Sequence, residues 1–253
     1  ICEGDSLVLS VNSSINIGAN PLKGTLINGL VGYWPFNGNA NDESGNGNTG
    51  IVDGAILTND RFGTPNSAYD FDSLPTTKIT IPMNNSYPSI TLSAWVNVRD
   101  FSTWYPHVIN MSQANTSVSN IAIIAFLGNS LGYIQNGILG SIQSYPDYLQ
   151  STQTYQDSTW YHIVVVHDHN SNNHSIYVNG QFENSNSTSS SLPITNTWKM
   201  VLGNSIDGWN GLVEYGSMAF DGTIDDIAMW DRALTTQEIQ KLYGNYSYQW
   251  SPT

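Results

Sequence analysis

Trp160–Gly180 reads WYHIVVVHDHNSNNHSIYVNG. Its first eight residues, Trp160–His167, are apolar on both faces of an extended chain, the pattern of a central strand covered on both sides. Ser175–Val178 follows as a second strand and ends in Asn179-Gly180. Both of those residues tolerate φ > 0, so the dipeptide closes a type I′ hairpin, with Gln181–Glu183 as the returning strand. Upstream, Ile90–Arg99 alternates: Ile90, Leu92, Ala94, Val96 and Val98 share one face, while Thr91, Ser93, Asn97 and Arg99 share the other. Trp95 falls on that second, polar face, where an aromatic either packs under a loop or lines a binding surface.

One helix is readable. Thr235-Thr236-Gln237-Glu238 is a capping box, in which the N-cap hydroxyl and the Glu carboxylate satisfy exposed amides reciprocally. Leu234 and Ile239 form the staple across it and Gly244 supplies a stop. This predicts a short helix near Thr236–Tyr243, docked through Ile239 and Leu242.

The 253 residues carry only 11% charged side chains, with Asn, Ser, Thr and Gly in their place, which suits many short strands joined by polar turns. The formal charge is −13, with 7 Lys+Arg against 20 Asp+Glu. That balance argues against nucleic acid and against an anionic membrane surface, both of which need cationic groups. No run approaches the ~20 apolar residues of a membrane span. No signal peptide is visible and Ile1 begins in mid-pattern, so the sequence reads as a piece of a longer, exported chain; the single Cys2 either pairs outside this piece or is simply buried.

The ends differ from the middle. Residues 1–28 and 246–253 each contain a strand-like stretch (Ile1–Val11 and Tyr246–Thr253) resembling successive strands of one immunoglobulin-like domain. The expected organisation is a sandwich over 29–245 inserted between these partial Ig-like flanks, an arrangement loops tolerate when their ends lie close together; the alternative is that the flanks are unrelated edges of two neighbouring repeats.

Four segments, in order, resemble the laminin-G-like, concanavalin A-like jelly roll: Gly29–Gly50 (GLVGYWPFNGNANDESGNGNTG), Ser67–Pro82 (SAYDFDSLPTTKITIP) with Ile90–Val98, Trp160–Gly180, and Phe220–Tyr243 (FDGTIDDIAMWDRALTTQEIQKLY). The fold this implies is all-β: a two-sheet antiparallel jelly-roll sandwich with one short C-terminal helix. The resemblance also implies a structural Ca2+ between the first loop and the strand before the helix. Calcium takes six to eight oxygen ligands, and the matching positions are Asp42 and Asp225 by side chain, with Asn37, Asn39 and Asn48 supplying amide or backbone oxygens. Alternation would turn one of Asp225 and Asp226 toward the ion and the other away. The metal-free alternative is a set of Asx-turns in an Asn/Asp/Gly loop.

Catalysis is not expected. Glycoside hydrolases flank the scissile bond with two carboxylates, yet Glu3, Glu43, Glu183, Glu214 and Glu238 are scattered, and Asp70 and Asp72 sit on a strand edge. His167, His169 and His174 read as solvated hairpin residues, not as a metal site. For binding, three stretches mix aromatics with amides and carboxylates, the chemistry that stacks on sugar rings and satisfies hydroxyls: Trp104 and Tyr105; Asp147 and Tyr148; Trp209 and Asn210. The expected role is a calcium-stabilised, carbohydrate-binding module of a secreted or cell-surface adhesin, monomeric within a longer chain. The alternative partner is a surface protein, with the module as a structural segment.

Overall fold

The computed structural model describes residues 22–83, 85, 87–101, 106–113, 120–127, 133–137, 148–187, 198–204 and 219–247. Among them run, in chain order, β1 (Leu30–Trp34), β2 (Ile51–Asp53), β3 (Ile56–Thr58), β4 (Ala68–Asp72), β5 (Lys78–Met83), β6 (Ile90–Val98), β7 (His107–Gln113), β8 (Asn120–Leu127), β9 (Tyr133–Gly137), β10 (Tyr148–Gln150), β11 (Trp160–Asp168), β12 (Asn173–Val178), β13 (Gln181–Ser187), β14 (Trp198–Leu202), β15 (Asp221–Trp230) and α1 (Thr236–Ser247). A 3-10 helix, Gly24–Ile27, precedes β1.

The strands make two antiparallel sheets. The larger has the order β13-β12-β11-β6-β15-β4-β3, and the smaller β10-β9-β8-β7-β14-β5-β2. In the larger sheet β4 and β1 share one edge of β15: β4 pairs with Asp221–Ile224 and β1 with Ile227–Trp230. The core between the sheets takes Val96, Val98, Ile163, Ile224 and Phe71 from the larger, and Ile79, Ile81, Ile109 and Met200 from the smaller.

A second apolar layer explains the unbroken hydrophobic run in β11. Val164 and Val166 point away from the sandwich and are buried with Trp95, Trp230, Leu26, Ile239 and Leu242 beneath α1 and the 3-10 helix. The capping box is formed: Glu238 N donates to Thr235 Oγ1 at 3.3 Å and Thr235 N to Glu238 Oε2 at 3.0 Å. A cap is worth about 1 kcal/mol. Each fully buried aliphatic side chain contributes roughly 1.5–3 kcal/mol, so docking through Ile239 and Leu242, both inaccessible, holds this helix more than its cap does.

Three local expectations change. The hairpin forms as read, with φ of 50° at Asn179 and 74° at Gly180, but β12 and β13 extend further than Ser175–Val178 and Gln181–Glu183. α1 continues through Gly244 to Ser247, because that glycine keeps helical backbone. The strand expected over 246–253 therefore starts inside the helix; 248–253 and 1–21 lie outside the described residues. His167 and His174 are buried and face each other across β11 and β12; their side chains share the inward face with Val165 and Ile176, so they belong to the core and not to a solvated turn.

Candidate functional site

The outer face of the larger sheet is built in rows, because residues directly opposite on neighbouring strands project to the same side. Ala228, Ser93, Val164 and Tyr177 form one row, in register across β15, β6, β11 and β12. The next row is Asp225, Trp95 and His162. Both lie in the covered half of the face, under α1. Tyr243 of the helix stacks over Trp95 with ring centroids 5.8 Å apart.

Between these rows β15 carries one extra residue opposite Trp95 and Ser93, a β-bulge whose added residue, Asp226, has φ of 45°. The bulge overturns the expected alternation: Asp225 and Asp226 turn to the same partner. Arg61, from the loop after β3, places Nη1 at 2.6 Å from Asp225 Oδ2 and Nη2 at 2.8 Å from Asp226 Oδ2. Tyr33 OH donates to Asp226 Oδ1 at 2.9 Å. The guanidinium lies 4.5 Å from the Trp95 ring and from the Phe62 ring, a cation–π sandwich. Burial, and for Asp225 the Asp226 carboxylate, push both acids above the usual carboxylate range, while Arg61 pulls them back. His162, whose Nε2 lies 2.8 Å from Ser93 Oγ, is lowered to about 3 by burial and then by Arg61.

Beyond Arg61 the described residues of this face are more exposed. One row there crosses five strands in strict register: Ile56↔Asp70 (β3, β4), Asp70↔Thr223 (β15), Thr223↔Asn97 (β6) and Asn97↔Trp160 (β11). Ile56 is 65% exposed, and the four others are half-buried. Arg99 flanks the row and pairs with both Asp70 and Asp221, which fixes the carboxylates and offsets their charge. Thr223 Oγ1 donates weakly to Asp70 Oδ1 at 3.4 Å. The row thus offers apolar contacts at its ends and a carboxylate, a hydroxyl and an amide between them.

None of the residues singled out from sequence for binding belongs to this row, though the sequence places Asp70 and Asn97 on strands. Trp104, Tyr105, Asp147, Trp209 and Asn210 are outside the described residues; Tyr148 opens β10, at the edge of the smaller sheet. The row carries no local motif, since residues 56, 70, 97, 160 and 223 meet only through sheet order.

Four of the five expected calcium ligands accept hydrogen bonds from protein donors. Asp42 Oδ1 accepts the amides of Tyr33 and Ser44 at 3.0 and 2.9 Å, and Oδ2 that of Asn48 at 2.9 Å. The Asn48 carbonyl accepts the Trp34 indole N–H at 2.8 Å, and Asn39 Oδ1 accepts Asn41 N at 2.8 Å. Asn37 is exposed. Asp225 accepts from Arg61 Nη1 at 2.6 Å. Among the described residues no group of three or more His, Cys, Asp or Glu is arranged to hold a metal. An open depression of about 360 Å³ beside Ser89, Asp168, His169 and Asp231 is the other concavity of note; its Asp168 carboxylate already accepts Asn170 N and Ser171 Oγ.

Residues 71–240 match the family model described as the concanavalin A-like lectin/glucanases superfamily. The chain belongs to this superfamily. No relative is detected among curated proteins. Solved jelly rolls similar to this superfamily member include domain 4 of AbnA, a GH43 extracellular arabinanase from Geobacillus stearothermophilus, in complex with arabinotriose: TM-score 0.61, 18% identity, covering 85% of this chain and 98% of that one. The binding domain of botulinum neurotoxin DC in complex with SialylT has a TM-score of 0.65 and 14% identity, over 88% of this chain and 52% of that one. The same domain in complex with rat synaptotagmin II gives 0.64 and 13%, over 88% and 52%. This chain thus spans about half the length of the botulinum domains, and at these identities the likeness shows the fold alone. Among the described residues, no helix of this superfamily member is long and apolar enough to cross a membrane.

Proposed function

We propose that this superfamily member is a non-catalytic glycan-binding module of a secreted or cell-surface protein. The observation that carries the reading is the uncovered half of the larger sheet, where hydrogen-bonding side chains of both polarities stand beside apolar ones on a rigid strand platform. Sugar recognition needs that mixture: planar polar groups for hydroxyls and apolar surface for ring faces. The arabinotriose and SialylT complexes of structural neighbours support it. Hydrolysis would need a raised-pKa acid and a second carboxylate both reaching the substrate. Asp225 and Asp226 carry raised pKa values but are 2% and 9% exposed and clamped on Arg61.

A polysaccharide and glycan array, probed with and without a calcium chelator, tests this. We expect binding to at least one glycan class, unchanged by chelation, since Asp42 and Asp225 are already satisfied by protein donors. Folded protein that binds no glycan would end the reading. The second reading is a protein-binding segment of a long surface adhesin. It is favoured by Ile51 and Val52, which stand 59% and 36% exposed on edge strand β2, an invitation to another chain; the neighbour in complex with synaptotagmin II is in keeping with it.

A further inference from the structure

We propose that the row Ile56–Asp70–Thr223–Asn97–Trp160 binds the interior of an extended, non-acidic glycan chain laid across the strands, and does not capture a chain end. This rests on the glycan reading and adds the ligand's class and direction. Four strand spacings of about 4.8 Å make the row ~19 Å long, enough for several sugar rings in line. Neither end is walled by a described strand. Ile56 lies on the edge strand β3 and is 65% exposed. At the other end β12 begins its pairing only at Ile163↔Val178, so no strand flanks Trp160. A chain end or single sugar needs a closed pocket that buries it on most sides; an open row lets a polymer continue past both ends.

The chemistry along the row sets the class. Ile56 and Trp160 are apolar contacts for ring faces, and the Asn97 amide makes no hydrogen bond within the described residues. Asp70 is held by Arg99, which it shares with Asp221, so two carboxylates surround one cation in a chain of net charge −13. An acidic polymer would be repelled by that field, whereas hydroxyls donate to it.

The test is calorimetric titration with linear arabinan, xylan and glucan oligosaccharides from mono- to hexasaccharide, and with polygalacturonate as the acidic polymer. For the neutral series that binds, affinity should rise at least about tenfold from disaccharide to hexasaccharide and be insensitive to a reduced end; polygalacturonate should not bind. Asn97→Ala and Ile56→Ser should each weaken the hexasaccharide about five- to tenfold with Tm unchanged, while Ile27→Asp, at an exposed site off this row, should not. A monosaccharide bound as tightly as the hexasaccharide, binding lost on reducing the chain end, or row variants that bind normally would overturn the inference and leave the glycan reading standing. Folded protein that binds none of the neutral series here, nor any glycan on the array, overturns both.

Discussion

Arg61 shows how one side chain settles the chemistry of two others. Its own side chain is 7% exposed and it pairs with Asp225 and Asp226 at once, so removing it strands two buried acids. Breaking a buried pair from one side costs about 3–5 kcal/mol, and we expect Arg61→Ala to lose that much in urea denaturation at pH 7. Because the two acids already have raised pKa values, their contribution to stability grows as pH falls through those values and is lost as it rises. The variant should therefore recover part of its loss in acid; a loss that stays constant with pH would contradict this role. His162 and His107 act in the opposite sense. Burial lowers them to about 3 and about 4, below the ~6.5 of an unfolded His. Their contribution is complete above pH 6.5 and falls away as pH drops toward 4, since the unfolded chain takes the protons first. We expect His162→Gln to flatten the decline of stability between pH 6.5 and 4.

At the scale of elements, the devices legible in the sequence are those with local causes. The Asn179-Gly180 turn and the Thr235/Glu238 cap are each specified by neighbours in the chain, and both form. The bulge in β15 was not legible: Asp225-Asp226 interrupts the alternation of TIDDIAMW, but that the interruption is an extra residue shows only against β6. Gly244 reads as a stop, yet the helix runs on. Gly222 has a requirement that only pairing reveals. A Cβ there would lie 2.2 Å from the Asn97 carbonyl oxygen and 2.7 Å from Phe220 Cζ, at a φ of 154°. Backbone cannot yield as a side-chain tip does, so Gly222→Ala should cost about 3 kcal/mol by overpacking, measured by thermal unfolding. A neutral result would mean that β6 and β15 approach less closely than described. For the 37–48 loop we expect Asp42→Ala to lower Tm equally with calcium and with chelator, because its three backbone amides lose their acceptor in both; a loss confined to calcium buffer would show a metal there.

At the scale of the molecule, the helix and the 3-10 segment cover one half of the larger sheet's outer face, and on the other half the described residues are half-buried or exposed. The division follows composition: the rows beneath α1 carry Val164, Trp230 and Ala228, while the open row carries Asp70, Thr223 and Asn97. Sequence resemblance was enough for the sandwich, because its signals lie in four contiguous segments. It could not assemble a site from five separated strands, and it drew attention to aromatic stretches that, Tyr148 apart, lie outside the described residues. The most direct measurement is a backbone-amide NMR titration of the folded domain with the glycan that binds most tightly. We expect the perturbed amides to gather at Ile56, Asp70, Asn97, Trp160 and Thr223. Perturbations confined to residues 104–105, 147–148 and 209–210, or none at all, would contradict a binding face on this half of the sheet.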